Sequence, residues 1–259
     1  MTMNPRRVIR VREAAPADLE AILDVYFSAF DDNAMNQLIY PRGATPACRE
    51  KFGLSIFPQR PAGNNAKGKR ETLVCVAEAF PDGESTEGPG EIIAFAKWQL
   101  QREPLPEDEW KNEEFKATAE AWGEDCDLAF VDAFIGGMNR VQRDNAKGEA
   151  ALYLSLLGCT PAYQRCGAGS ALLEWGVNLA DRLGLPSRLE ASPAGYRLYK
   201  KFGYEDMAVL DLEITEGWGK AKPPDSDWGE NNAVDLAGPL PVGAQRTVIM
   251  RRPPRSTTV

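Results

Sequence analysis

The chain has 259 residues, of which 43% are hydrophobic and 26% charged, and these proportions exclude a wholly disordered protein. With 38 acidic and 30 basic residues the net charge is −8, which argues against a nucleic-acid-binding protein, because such proteins neutralise phosphates with basic side chains. The sequence contains no histidine, and this excludes both histidine metal sites and nucleophiles activated by histidine.

The five cysteines are scattered, and no two of them form a C-x-x-C pair. This spacing predicts reduced thiols and no metal site. The first residues, M-T-M-N-P-R-R-V-I-R, are too charged for the core of a signal peptide, and no apolar run reaches the length of a membrane span. We therefore expect a cytoplasmic protein whose partners include neither a membrane nor nucleic acid.

The first part of the chain predicts a strand followed by helices and a loop. Apolar and charged residues alternate over residues 8–12, which predicts a short strand. Residues 15–30 carry apolar side chains at helical spacing and predict an amphipathic helix. Residues 31–60 are expected to hold one more short helix, and residues 61–70, P-A-G-N-N-A-K-G-K-R, a flexible loop.

A hairpin and an acidic insertion follow. Residues 72–79 and 91–100 predict two strands joined by a long turn that is rich in glycine and proline. Residues 103–147 predict one or two helices inserted between strands. The acidic stretch at their start, residues 103–127, either rims a pocket that attracts an amine or forms a solvated helical face.

The second half of the chain alternates strands with helices. Apolar patterns predict helices over residues 170–183 and 194–202 and an irregular loop over residues 216–245. Strands are predicted at residues 150–158, 187–191, 207–214 and 246–251. This order of elements is typical of a mixed α/β sheet, and we expect one domain over residues 1–259.

The densest motif is L-L-G-C-T-P-A-Y-Q-R-C-G-A-G-S, residues 156–170, which joins a strand to a helix. Gly167 and Gly169 stand where that helix begins, and glycine lets a ligand approach the backbone closely. Several N–H groups then point at one spot at the positive end of the helix dipole, an arrangement typical of a phosphate or pyrophosphate site. The alternative interpretation is a tight turn that needs glycine for its own conformation.

Two other phosphate-binding patterns fit less well. The G-x-G-x-x-G fingerprint of dinucleotide-binding folds lacks its third glycine here. Residues 63–70, G-N-N-A-K-G-K-R, approach the P-loop pattern, but Arg70 replaces the hydroxyl residue that binds magnesium. That stretch also leads into a strand, not a helix, so we interpret it as a loop.

Two motifs resemble those of the GNAT N-acetyltransferase superfamily. Residues 164–169, Q-R-C-G-A-G, are similar to its Q/R-x-x-G-x-G/A signature. Residues 192–205, S-P-A-G-Y-R-L-Y-K-K-F-G-Y-E, resemble a second motif, in which a short helix carries a tyrosine four residues before Gly-Phe/Tyr. The second string looks most like fungal members, and the two motifs together cover residues 150–206.

The resemblance implies an α/β fold and a cofactor. The fold would be a mixed, mostly antiparallel central sheet flanked by helices and splayed between its two central strands. The pantetheine arm of acetyl-CoA, the implied co-substrate, would fit into that gap, and no metal is implied.

The resemblance also implies a set of cofactor-binding residues. The backbone of Leu157, Gly158 and Cys159 would bond the pantetheine and the acetyl carbonyl. The pyrophosphate would be held by amides of Gln164, Arg165, Cys166, Gly167, Ala168, Gly169 and Ser170. Ser192 lies near the place where many relatives use Asn to hold the pantetheine arm, which puts that contact in doubt. Tyr196 either lines the same pocket or packs its helix against the core.

The candidate catalytic residues are Tyr199, Glu190 and Glu149. Tyr199 occupies the position of the family's acid, which protonates the leaving thiolate, as a phenol can. A base is needed because a free amine is mostly protonated at neutral pH. Glu149, Glu190 or a water relayed by a carboxylate could serve, and either glutamate could instead be a solvated charge at a strand end.

We therefore expect an acetyl-CoA-dependent N-acetyltransferase that acts on a primary amine of a small molecule, by direct attack in a ternary complex. One alternative acceptor is an amine of a peptide or protein. Another alternative is a non-catalytic, regulatory domain that binds acyl-CoA. The sequence is compatible with a monomer or a homodimer.

Overall fold

The computed structural model describes residues 7–58, 70–81 and 87–255. These residues contain a sheet of seven strands. Its strands are Arg7–Glu13 (β1), Arg70–Pro81 (β2), Glu91–Gln101 (β3), Ala151–Cys159 (β4), Ser187–Ala191 (β5), Glu205–Glu213 (β6) and Ala244–Arg252 (β7). The spatial order is β1-β2-β3-β4-β5-β7-β6, and every neighbouring pair is antiparallel except β4 and β5. The predicted mixed, mostly antiparallel sheet is confirmed.

The parallel strands β4 and β5 pair over only three residues each, from Leu152 opposite Ser187 to Leu154 opposite Leu189. Beyond Leu154, β4 continues beside β3 alone, while β5 continues beside β7. At the same place Ser155 has no partner on β3, because the register shifts there, and such a bulge bends a strand. The expected splay between two central strands is therefore present.

Helices cover both faces of the sheet. They are Leu19–Ala29 (α1), Ala34–Ile39 (α2), Pro46–Ile56 (α3), Glu107–Lys111 (α4), Ala119–Trp122 (α5), Leu128–Ala146 (α6), Ala168–Leu183 (α7), Pro193–Lys201 (α8) and Val234–Ala237 (α9). Side chains of Asn33, Thr45 and Asp127 accept hydrogen bonds from the first-turn amides of α2, α3 and α6, which satisfies otherwise unpaired donors. Gly184 ends α7 in the left-handed conformation.

The structure adds short helices to the predicted ones. Residues 31–60 contain α2 and α3 where one helix was expected, and residues 103–147 contain α4, α5 and α6 where one or two were expected. Three of them, α2, α3 and α5, begin at side-chain caps and are at most 11 residues long, so sequence periodicity detects them poorly. The predicted irregular region 216–245 includes the one-turn helix α9. The predicted loop at 61–70, apart from Arg70, lies outside the described residues.

The alternation of side chains along β3 separates two packing layers. Trp98 and Leu100 point to the layer formed by α7, whereas Phe95 points to the layer formed by α1 and α6. Trp98 is fully buried and lies so close to Gly176 of α7 that a Cβ added there would stand 2.0 Å from its ring. Within the described part of the chain, no helix has both the length and the apolar character needed to cross a bilayer.

Candidate active site

The turn before α7 leaves an open approach to a helix N-terminus. Gly167 caps α7 with a φ of 97°, a conformation that favours glycine, and no side chain caps the first amides of this helix. A Cβ added to Gly169 would meet only Leu198 at 3.8 Å, so packing does not require glycine there. The uncapped amides and the free space at Gly167 suit a phosphate group. The residues present therefore fit the pyrophosphate of a nucleotide cofactor.

A cavity of about 1630 Å³ opens on the opposite face of the sheet from α7. Among the sheet residues that line it, we call a set of ten polar ones the floor. The floor consists of Thr72, Lys97, Gln99, Gln101, Tyr153, Ser155, Arg188, Glu190, Gln245 and Thr247. Largely apolar side chains of α1, α2, α3 and α6 form the opposite wall. A polar floor under an apolar wall can orient a small polar molecule.

The split between β4 and β5 connects the turn with the cavity. Leu157, Ser192 and Tyr199 lie around the split and also line the cavity. The residues of the turn at 164–170 stand at the start of α7, on the other face. A ligand held by its phosphate at α7 can therefore extend through the split towards the floor.

Glu190 lies on β5 beside the split, and its carboxylate accepts a hydrogen bond from the Tyr153 hydroxyl. Burial raises the pKa of Glu190 to about 7, although the Tyr153 hydrogen bond and the nearby Arg188 charge act in the opposite direction. A carboxyl with a pKa near neutrality can accept a proton from an amine and release it again.

Tyr199 lies on α8 at the same end of the cavity. Its side chain is buried, and its ring contacts that of Tyr204 edge-on at 6.0 Å. Burial raises the pKa of Tyr199 far above its ordinary value, and the neighbouring Tyr204 and Glu190 add to the effect. The phenol therefore keeps its proton at neutral pH and is available as a donor.

Glu149 occupies a different environment. Its two oxygens accept from Arg251 at 2.6 Å and from Arg188 at 2.6 Å. Burial acts to raise the pKa of Glu149, but the bonds from Arg251 and Arg188 outweigh it, and the net shift is downward. A carboxylate held by two guanidinium groups is a poor proton acceptor.

Among the other candidate residues, Gly158 and Ser192 lie beside the split, whereas Tyr196 does not. Gly158 is buried against Phe30 and Phe95, so its backbone is fixed beside the split. Ser192 uses its hydroxyl to cap α8, with the Gly195 amide 3.4 Å away. Tyr196 points away from the cavity: its hydroxyl donates to Asp206 at 2.7 Å and accepts from the Ala233 amide at 3.2 Å. These bonds favour the packing interpretation of Tyr196.

Sequence reasoning missed several floor residues. Lys97, Gln99 and Gln101 alternate with Trp98 and Leu100 in the string K-W-Q-L-Q, a period of two that signals a polar strand face. Tyr153 and Arg188 carry no comparable local signal. They are brought to the floor by the pairing of β4 with β5, where these two residues stand opposite each other.

Part of the acidic stretch does reach the cavity. Glu103, Glu113 and Glu114 line its outer edge, which we call the rim. Glu113 is bound by Arg70 through two hydrogen bonds of 2.9 Å. The rim therefore offers Glu103 and Glu114 as carboxylates facing an entering amine.

A family model described as the acetyltransferase (GNAT) family matches residues 90–204. "Probable N-acetyltransferase san" of Drosophila melanogaster is 30% identical over 100 residues, which are 36% of this chain and 54% of that protein. "Probable acyltransferase SID5" of Ajellomyces capsulatus is 35% identical over 57 residues, 21% of this chain and 42% of that protein. The chain spans about half the length of the curated relatives it matches.

A solved structure extends the similarity to the whole sheet. The Drosophila melanogaster polyamine N-acetyltransferase, an enzyme that catalyses the formation of N-acetylagmatine, superposes with a TM-score of 0.55 at 14% identity. The match covers 95% of this chain and 100% of that one. A likeness at this level of identity shows a shared fold.

Proposed function

The chain belongs to the GNAT acetyltransferase family, and on this premise we propose that it is an acetyl-CoA-dependent N-acetyltransferase of small primary amines. One observation carries the proposal. Glu190 and Tyr199, one suited to accept a proton and the other to donate one, line the same cavity beside the split between β4 and β5.

The cofactor would be held by the turn and by β4. Amides of residues 164–170 bind the pyrophosphate, and the backbone of Leu157, Gly158 and Cys159 holds the pantetheine arm in the split. The positions of Gly167 and Gly169 support this assignment, because the space above them is open. The Ser192 hydroxyl, which caps α8, lies beside the same arm.

The proposed reaction is a direct transfer. When bound, acetyl-CoA supplies a thioester whose C–S bond breaks as the amine nitrogen bonds to its carbonyl carbon, giving an amide and a free thiol. Glu190 accepts the proton that the amine nitrogen loses, and Tyr199 donates a proton to the departing sulfur. Backbone N–H groups of β4 stabilise the negative charge that develops on the carbonyl oxygen.

The cysteine beside the split supports direct transfer over a covalent acyl-enzyme. Burial raises the pKa of the Cys159 thiol to about 11, and the neighbouring Cys166 adds to the shift. A thiol with so high a pKa is a poor nucleophile at neutral pH, because the thiolate is the reactive form.

The test is to incubate the protein with acetyl-CoA and a panel of polyamines, aryl amines, amino acids and a basic peptide, and to follow thiol release. CoA binding is measured in parallel by calorimetry. Release that depends on one small amine class supports the proposal, and release with the peptide alone favours a protein acceptor. CoA binding without release favours a binding domain, and absence of CoA binding contradicts the proposal altogether.

Initial-velocity patterns test the order of events. Intersecting double-reciprocal lines are expected for direct transfer in a ternary complex, and a Cys159→Ser variant should retain turnover. Parallel lines together with loss of turnover in that variant would instead indicate an acyl-cysteine.

A further inference from the structure

The floor of the cavity carries two cationic side chains that their surroundings do not neutralise fully. Lys97 is only 9% exposed, and no described residue forms a hydrogen bond or ion pair with it. Burial lowers the pKa of Lys97 to about 8, with no charged neighbour contributing. The group is still mostly protonated at neutral pH, so a buried charge faces the cavity without a counter-ion.

Arg188 also has a buried side chain with unpaired hydrogen-bond donors. Its side chain is 3% exposed, and one guanidinium nitrogen, Nη1, donates to Glu149. The other two, Nε and Nη2, have no partner among the described residues. Ser155 Oγ and Gln245 Oε1, which also belong to the floor, are buried without partners as well. Buried polar groups are normally hydrogen-bonded, so this concentration of unpaired ones points to a polar ligand.

We infer that the acceptor amine of the proposed reaction also carries a carboxylate, which Lys97 of the floor binds. This inference rests on the proposed function and narrows its substrate class to amino acids and similar zwitterions. Such a ligand places an anion beside Lys97 and an amine beside Glu190, and both of these side chains line one cavity.

The sheet register is compatible with this placement. Lys97 pairs with Leu156 on β4, and Glu190 stands on β5, on the other side of β4. Their backbones are therefore separated by at least two strand spacings, roughly 10 Å, because β4 and β5 diverge at Glu190. The two long side chains project from the same face into the cavity, which leaves room for a small molecule between the ammonium and the carboxylate.

A diamine fits the floor less well. Its second ammonium would meet Lys97, which repels it. The carboxylates available to it are those of the rim, Glu103 and Glu114, at the outer edge of the cavity.

The test compares amines that differ by a carboxylate alone. Lysine and cadaverine, arginine and agmatine, tyrosine and tyramine, and β-alanine and ethylamine are each assayed for thiol release from acetyl-CoA. For the pair that is turned over, we expect kcat/KM to be roughly 10- to 100-fold higher for the carboxylated member, as expected for a charge-assisted hydrogen bond. Equal values, or a preference for the decarboxylated amine, would overturn the inference.

Substitutions at Lys97 test whether this residue causes the carboxylate preference. Lys97→Met should raise KM for the carboxylated member and remove the preference, while Lys97→Arg should keep most of it. Lys116→Met, at the exposed outer part of the cavity, is the matched control and should keep the full preference. CoA binding by calorimetry checks that each variant is folded, and an unchanged preference in Lys97→Met contradicts the assignment.

The two hypotheses fail in different ways. Absence of thiol release with every amine contradicts the proposed function. Release that shows no carboxylate preference contradicts only this inference, and if Lys97→Met does not fold, the wild-type ratios and Lys97→Arg still decide it.

Discussion

The Tyr153 hydroxyl on β4 donates a hydrogen bond to the Glu190 carboxylate on β5, where the two strands stop pairing. The contact holds a carboxyl at the bottom of the split while burial raises its pKa to about 7. A hydrogen bond to the charged form lowers the pKa, so Tyr153 limits the upward shift. The pair thus sets the pH at which the proposed base becomes charged.

The pH dependence of turnover should report this carboxyl. Glu190 must be deprotonated to accept a proton, so kcat/KM should rise with pH and show an apparent pKa near 7. Removing the hydrogen bond in Tyr153→Phe should move this rise in kcat/KM to higher pH. Glu190→Gln should abolish it and lower kcat by about 10²- to 10⁴-fold. The proton transfer would belong to another group if the wild-type kcat/KM did not rise near pH 7. The same conclusion would follow if the rise persisted in Glu190→Gln.

Tyr199→Phe tests the proposed acid. The change removes a hydroxyl that keeps its proton at neutral pH, so kcat should fall by about 10²-fold or more while the Kd for CoA stays the same. Tyr204→Phe is the matched control, because the Tyr204 hydroxyl bonds to Ser187 inside the core. It should lower stability by about 1 kcal/mol and leave turnover in place. Wild-type turnover in Tyr199→Phe would rule out the acid role.

Gly169→Val distinguishes a ligand site from a tight turn at the start of α7. The new side chain meets little protein, since the nearest atom to an added Cβ is 3.8 Å away, but it projects where the pyrophosphate would bind. We expect the Kd for CoA to rise at least about 10-fold with the melting temperature nearly unchanged. Affinity for pantetheine, which has no pyrophosphate, should not change. Equal losses for both ligands would show that the substitution disturbs the fold.

The elements that could be predicted from the sequence are those whose signals are local. The alternation in β3, the helical period of α1 and the glycines at 167 and 169 each involve neighbours along the chain. The turn before α7 is likewise a continuous stretch, so its glycines and its place at the start of a helix could be recognised in the sequence.

The floor could not be predicted in this way. Lys97 and Arg188 stand in different strands, and only the sheet order brings them to one cavity. Glu149 and Glu190 were equivalent candidates in the sequence, since both stand at strand ends. The structure separates them, because Arg188 and Arg251 bind Glu149 whereas burial beside Tyr153 acts on Glu190.

Tyr196→Phe tests the two interpretations of that residue. The structure bonds its hydroxyl to Asp206 and to the Ala233 amide, so the variant should lose about 1 kcal/mol of stability and keep its affinity for CoA. Urea denaturation and calorimetry measure the two quantities. A weaker CoA affinity at unchanged stability would support the pocket interpretation instead.

The contact between Gly176 and Trp98 predicts a substitution that the core cannot accept. A Cβ at position 176 would stand 2.0 Å from the Trp98 ring, which is fully buried, and protein interiors are close-packed. Gly176→Ala should therefore destabilise the protein by about 1–3 kcal/mol, although alanine is the better helix former. Gly53→Ala in α3 is the matched control, because its Cβ would meet Leu19 and Leu23 at an ordinary 3.7 Å. It should stabilise the protein by about 0.5–1 kcal/mol. Urea denaturation of both variants measures the difference, and equal stabilities would mean that the Trp98 ring is not fixed against α7.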